Sequence, residues 1–251
     1  MKKKNIRDNR PRLIDENTPF AIREAFNMLR TNLLYTVSDV TDRCPIYAIT
    51  SAGENAGKST VIANLALSFT NLGKRVLLID GDMRCPTIFH IFDKDIDAPG
   101  LSELISGVCN DVVQKDVRPG LDLITSGRIP PNPSELITGI RFTELLESWK
   151  ETYDVIFIDF PPVDIVSDSL AVCQQITGYI FAVRSGKTRA ATANNTIHAM
   201  EQVGARIVGV VLNDYSMKGS TKYGYNDHYS RYYRRANAYN ESQSKKGGKK
   251  K

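Results

Sequence analysis

Apolar residues gather in six short runs between residues 46 and 213. These are IYAIT (46–50), RVLLID (75–80), LDLIT (121–125), DVIFID (154–159), YIFAV (179–183) and IVGVVLN (207–213). Most are continuous rather than alternating, which is how strands buried on both faces of a parallel sheet read. Helical spacing of apolar positions separates many of them, over 58–72, over 134–151 with gaps, and over 168–176 and 188–203. The alternation predicts an α/β domain, a doubly wound and mostly parallel sheet with helices on both faces and right-handed crossovers. Upstream, Ala25, Met28, Leu29 and Leu33 share a helical face, which predicts an amphipathic helix from about Ile22 to Tyr35. The pattern divides the chain in three: a basic lead-in with this helix (1–45), the α/β domain (46–213), and a last segment (214–251) poor in aliphatic residues and rich in Tyr, Ser, Asn, Lys and Gly. A segment of that composition cannot bury enough apolar surface to order itself and is expected to be a flexible tail.

Composition narrows the class. A chain of 251 residues is long enough for one sizeable core. No apolar run approaches the length of a membrane span. The basic N-terminus is not followed by the apolar stretch of a secretory signal. Cys44, Cys85, Cys109 and Cys173 are widely separated, so a reduced, cytosolic setting is expected rather than a disulfide framework or a zinc site. The net charge of +5 is unevenly spread: residues 1–12 carry +5, residues 222–251 carry +7, and the body between them carries −7. An acidic body argues against a nucleic-acid-binding face, and no specific nucleic acid is expected as a partner. The basic ends can meet an anionic membrane surface or an acidic partner.

The strongest chemical signal is Gly53-Glu54-Asn55-Ala56-Gly57-Lys58-Ser59-Thr60, preceded by an apolar strand and opening a helix. That context suits a phosphate loop, whose backbone N–H groups and helix N-terminus point at phosphate oxygens. Gly57 permits close backbone approach, Lys58 would neutralise the β- and γ-phosphates, and the Ser59 hydroxyl would face Mg²⁺. A surface turn capped by Ser59 is the plainer alternative, and the strand–helix junction with Gly-Lys-Ser-Thr argues against it. Two acidic sites accompany the loop. Asp159 ends a wholly apolar strand and can hold Mg²⁺; Asp80 and Asp82 follow another strand, where ligands sit in open α/β sheets. One of this pair can help hold the metal and the other can take a proton from an attacking hydroxyl. Arg184 and Asn213 close later strands and are candidates for the nucleotide's base end.

Seven of eleven tyrosines fall in 215–239, and six of them, Tyr223, Tyr225, Tyr229, Tyr232, Tyr233 and Tyr239, occupy 17 residues. Set among Gly, Asn, Arg and Ser, they do not read as core. They are expected to be phosphate acceptors on a flexible tether.

Together the loop at 51–60, Asp80-x-Asp82-x-Arg84 and Asp159-x-Pro161-Pro162 resemble the Walker A, A′ and B motifs of the bacterial tyrosine kinases of capsular and exopolysaccharide assembly. Pro130-Pro131-Asn132-Pro133-Ser134-Glu135-Leu136 and Gly209-Val210-Val211-Leu212-Asn213 resemble further family segments. The helix carrying Glu24 and Arg30 resembles the family's oligomerisation helix, with Asn27 where that pattern has an arginine. The loop also departs from the pattern at Ala52, Glu54 and Asn55, and Phe160 stands where a small residue is usual. The resemblance implies an ATP- and Mg²⁺-dependent protein-tyrosine kinase that autophosphorylates its tail in trans within a homo-oligomer. It also implies a membrane-anchored activator that holds the kinase at the inner face of the membrane, and other protein substrates of polysaccharide synthesis. The alternative is an assembly-controlling ATPase of the MinD/ParA type, which has no evident use for the tyrosine cluster.

Overall fold

The structure, a computed structural model, describes residues 13–36, 43–166 and 168–215. The tyrosine cluster at 223–239, the basic N-terminus and the expectation of a flexible tail all lie outside the described residues.

The strands are β1 (Ile46–Ser51), β2 (Val76–Asp80), β3 (Gln114–Arg118), β4 (Leu121–Ile124), β5 (Val155–Asp159), β6 (Gly178–Arg184) and β7 (Ile207–Asn213). They form one sheet in the order β3-β4-β2-β5-β1-β6-β7. Every pairing is parallel except β3 with β4. Each of the six apolar runs is a strand. The addition is β3, whose sequence QKDVR is mostly polar and lies at the sheet edge, where one side needs no apolar partner.

The helices are α1 (Phe20–Thr36), α2 (Lys58–Thr70), α3 (Ile88–Ile91), α4 (Leu101–Ser106), α5 (Pro133–Thr138), α6 (Ile140–Lys150), α7 (Asp168–Ala171) and α8 (Ala190–Gln202). Two were not expected, the short α3 and α4, which hold too few turns to show a period. The helix expected over 168–176 is shorter: α7 spans four residues, and a 3₁₀ turn follows at Cys173–Gln175. The gap expected within 134–151 falls at Gly139, which ends α5 and leads into α6.

Alternate residues of the central strands feed two cores, one on each face of the sheet. Ile46, Ala48, Ile156 and Ile158 join the core that includes Phe142, Leu146 and Met200 of α6 and α8. Tyr47, Ile49, Val155 and Phe157 join the core under α1 and α2, with Leu33, Ile62, Leu65 and Phe69. Phe157 packs between Tyr47, stacked at 5.8 Å, and Phe69, edge-on at 5.2 Å. Helices on both faces explain why these strands carry unbroken apolar runs.

Strand order positions the chemistry. β2, β5 and β1 are adjacent, and each ends at one of the three predicted motifs. Asp80 lies in register with Asp159, and Asp159 with Ile49 of β1. Three segments separated by dozens of residues thus arrive at one end of the sheet, where ligands of open α/β folds bind.

Candidate active site

The turn between β1 and α2 needs two left-handed residues, Asn55 (φ 58°) and Gly57 (φ 86°). Asparagine tolerates that conformation, so Asn55 can stand where many such loops carry glycine. Gly57 is required for a second reason: a Cβ there would lie 2.0 Å from Nδ2 of Asn213. That Asn213 nitrogen donates to the Ala56 carbonyl at 2.9 Å. Arg184 donates from Nη1 to the Asn55 carbonyl at 3.1 Å and pairs through Nη2 with Asp214 at 2.9 Å. The two residues assigned to the base end of the nucleotide therefore brace the loop backbone from β6 and β7.

Glu54, Asn55, Gly57, Lys58, Ser59 and Thr60 line a cavity of about 390 Å³, shared with Asp82 and Arg84. Pro161, Pro162, Ile165 and Val166 form its apolar side. Gly53 has open space beside it and Ala56 is buried; neither lines this cavity. Lys58 is buried at the start of α2, and its charge draws both Asp82 and Asp159 toward ionisation.

The three carboxylates differ. Asp80 is fully buried; Oδ2 accepts from the N–H groups of Thr87 (3.2 Å) and Ile88 (3.0 Å), and Oδ1 from Asp82 N–H (3.2 Å). It anchors the start of α3 and does not line the cavity. Burial first, then the neighbouring Asp159 charge, push its carboxyl well above the ordinary range. Asp159 is raised to about 7, chiefly by burial, with Lys58 opposing. Its Oδ1 is buried without a hydrogen-bond partner. Asp82 does line the cavity. Its Oδ1 accepts from Arg84 N–H (3.3 Å) and Cys85 N–H (3.0 Å), and Oδ2 accepts from none of the described residues. Burial raises its carboxyl, while those N–H groups, Lys58 and Arg84 pull it back.

This set fits a hard divalent cation. Buried carboxylates crowded at one sheet end, one with an orphaned oxygen, are costly unless positive charge joins them. Ser59 belongs with them: its Oγ accepts from Thr87 Oγ1 at 2.6 Å, and its hydroxyl also bears on Asp159. Thr87 had no signature in the sequence beyond following a motif strand. Phe160, the bulky departure, is fully buried, and Gly81 opposite makes room for it; a Cβ on Gly81 would stand 3.0 Å from the Phe160 ring.

The oligomerisation candidates lie elsewhere, on α1. Glu24 accepts from Asn27 at 3.2 Å, and Arg30 donates to the Ser68 carbonyl in the last turn of α2.

A phosphate loop at a strand–helix junction, with carboxylates on the two neighbouring strands, defines a nucleotide-binding α/β protein of the P-loop class. Residues 46–176 match the AAA domain family. CpsD of Streptococcus agalactiae serotype Ia, a tyrosine-protein kinase, is 33% identical over 200 residues, covering 79% of this chain and 84% of that one. The kinase domain of the Escherichia coli tyrosine kinase ETK is 31% identical with a TM-score of 0.75, covering 89% of each chain. EpsB of Ralstonia solanacearum, described as a putative tyrosine-protein kinase, is 35% identical over 83% of this chain, which spans only 28% of EpsB's length. The chain belongs to the bacterial tyrosine-kinase family. Among the described residues, no helix is long and apolar enough to cross a membrane.

Proposed function

We propose that this chain is an ATP-dependent protein-tyrosine kinase that phosphorylates its own C-terminal tyrosine cluster and regulates capsular or exopolysaccharide synthesis and export. The observation that carries the reading is the shared cavity: Asp82 faces it with an uncommitted Oδ2, beside Lys58 and the phosphate loop. A tyrosine-rich segment in the same chain gives that carboxylate a substrate.

The loop backbone from Glu54 to Thr60 and the start of α2 bind the ATP phosphates. Ser59, Asp80 and Asp159 would hold Mg²⁺, which supplies positive charge to the β- and γ-phosphates. The acceptor phenol is mostly neutral at pH 7, with an ordinary pKa of about 10. As its oxygen forms the new bond to the γ-phosphorus, its proton passes to Asp82. The bond from that phosphorus to the bridging oxygen breaks, and the electron pair leaves with ADP. Lys58 offsets the negative charge of the transferring group. Asp82 suits the base role better than Asp80, which does not line the cavity and whose two oxygens already accept from backbone N–H groups, leaving Asp80 a metal-side role beside Asp159. Family membership supports the rest of the reading: homo-oligomerisation through the α1 surface near Glu24 and Arg30, transfer in trans, and recruitment to the membrane by an anchored activator.

The test is mass spectrometry of the full chain after incubation with Mg-ATP, with and without an activator segment, beside Lys58→Met. Phosphate on Tyr223 to Tyr239 that vanishes in the variant is the expected result. ATP turnover with no protein phosphate would instead make the chain an assembly ATPase.

A further inference from the structure

Arg84 is the one member of the Asp80-x-Asp82-x-Arg84 motif without a task in the mechanism above. Three distant segments converge on it. Its Nε donates to Asp168 Oδ2 at 3.1 Å, at the start of α7. Its Nη2 donates to Ser134 Oγ at 2.9 Å, in the first turn of α5. The triangle closes because the Ser134 hydroxyl donates to Asp168 Oδ1 at 2.6 Å. The serine is thus both donor and acceptor, and both carboxylate oxygens are engaged. Asp168 is 6% exposed, whereas the Arg84 side chain is 40% exposed. An exposed ion pair contributes little, but a buried carboxylate fixed by a second residue orients its partner.

The clamp leaves Nη1 of Arg84 without a partner among the described residues, on a side chain that lines the cavity. Arg84 stands on the Asp82 side of that cavity, and its charge is felt by Asp82. Lys58 lines the same cavity from the phosphate loop, so two cations border it. The clamp also gives the Pro130–Leu136 stretch a use. Pro133 opens α5 with a fixed backbone, placing Ser134 in its first turn.

We infer that Asp168 and Ser134 are positioning residues that hold the Arg84 guanidinium as a receiver for the phosphoryl group on the acceptor side, so that the site grips the phosphotyrosine it makes. This rests on the kinase reading. A guanidinium held at two of its nitrogens keeps a directional donor for phosphate oxygens.

The experiment measures binding of a phosphotyrosine peptide, residues 225–233 phosphorylated on Tyr229, to the full chain with Mg-ADP, by fluorescence anisotropy. The unphosphorylated peptide is the control. Charge alone makes the opposite prediction from positioning, because Asp168→Asn removes a negative charge near an anion site. Positioning predicts that Asp168→Asn weakens the phosphopeptide by roughly tenfold and Ser134→Ala by a smaller factor. Arg84→Lys should match Asp168→Asn, and the double variant should lose no more than Arg84→Lys. Melting temperature and the affinity for a fluorescent ADP analogue check each fold; if Asp168→Asn is unfolded, Ser134→Ala decides. Unchanged or tighter phosphopeptide binding in the variants overturns the inference, and so does a wild-type chain that does not prefer the phosphopeptide. Mass spectrometry of the same wild-type preparation separates the two readings. Tyrosine transfer with clamp-independent binding removes the clamp alone. Clamp-dependent binding without tyrosine transfer removes the kinase reading and leaves a phosphate-monoester site.

Discussion

Asp159 has a raised carboxyl, at about 7, because burial penalises its charge and Lys58 only partly compensates. Protons therefore bind the folded state more tightly than the unfolded chain, where a carboxylate titrates near 4. The sign follows: Asp159 contributes stability that is full below the unfolded value and fades as pH rises through about 7. Asp80 is shifted in the same direction and adds to the trend. The metal-free chain should lose melting temperature as pH rises from about 5 to 8, and Asp159→Asn should flatten that slope and melt at least about 2 °C higher at pH 8. Thermal scans in EDTA across pH check it; a variant with the wild-type slope would show that Asp159 is already ionised in the fold. The same residues show how far the site was legible. Lys58, Ser59, Asp80, Asp82 and Asp159 were visible because each opens a helix, ends a strand or closely follows one in a patterned context. The separate tasks of Asp80 and Asp82 were not, because they depend on which backbone N–H groups return to Asp80 from residues 87 and 88. Arg184 and Asn213 end strands as expected, but their contacts with the loop backbone follow from β6 lying beside β1 and β7 beside β6, a fact of sheet order.

Among the elements, legibility follows burial. Strands between two helical layers have to be mostly apolar, so β1, β2, β4, β5 and β6 announced themselves. By contrast, β7 is an edge strand with Val210 and Leu212 exposed, and was legible because its run is apolar all the same. Edge strand β3 has polar residues and pairs antiparallel, and its Lys115 is held by Asp122 (2.9 Å) and Tyr153 (2.9 Å) rather than by core. Nothing in a charged pentapeptide distinguishes that from a loop. The opposite edge depends on one glycine. A Cβ on Gly178, at the start of β6, would lie 2.3 Å from Cγ1 of Val208. The β6–β7 register shifts at this point, between Tyr179 and Ile180. Gly178→Ala should therefore push β7 outward and cost about 1–3 kcal/mol, the usual range for overpacking. Because β7 carries Asn213, whose bond to Ala56 braces the phosphate loop, the variant should also weaken nucleotide affinity without touching the cavity. Urea denaturation and a fluorescent-nucleotide titration measure the two effects. A stability loss with unchanged affinity would mean that the loop does not rely on β7.

On the scale of the whole molecule, charge is the organising quantity. A body of −7 carries ends of +5 and +7, and the larger of the two contains the tyrosine cluster. Each phosphotyrosine adds about −1.5 to −2, so four would add about −6 to −8 and cancel or reverse the charge of that end. An unmodified basic end is attracted to the acidic body of a second copy, and a phosphorylated one loses that attraction. Steering of this kind weakens with salt, since the screening length falls from about 10 Å at 0.1 M to about 3 Å at 1 M. The prediction concerns assembly size, read by mass photometry before and after Mg-ATP with an activator segment present. The wild-type chain should shift toward smaller species. A variant with Tyr223, Tyr225, Tyr229, Tyr232, Tyr233 and Tyr239 replaced by Phe should keep its size. Concentrated salt should shrink both, with or without ATP. The Phe variant keeps every aromatic ring and every basic residue, so a difference between the two chains isolates the added phosphate charge. A size that ignores ATP in both chains would separate the tail's chemistry from assembly, and the basic ends would then be left for the membrane surface.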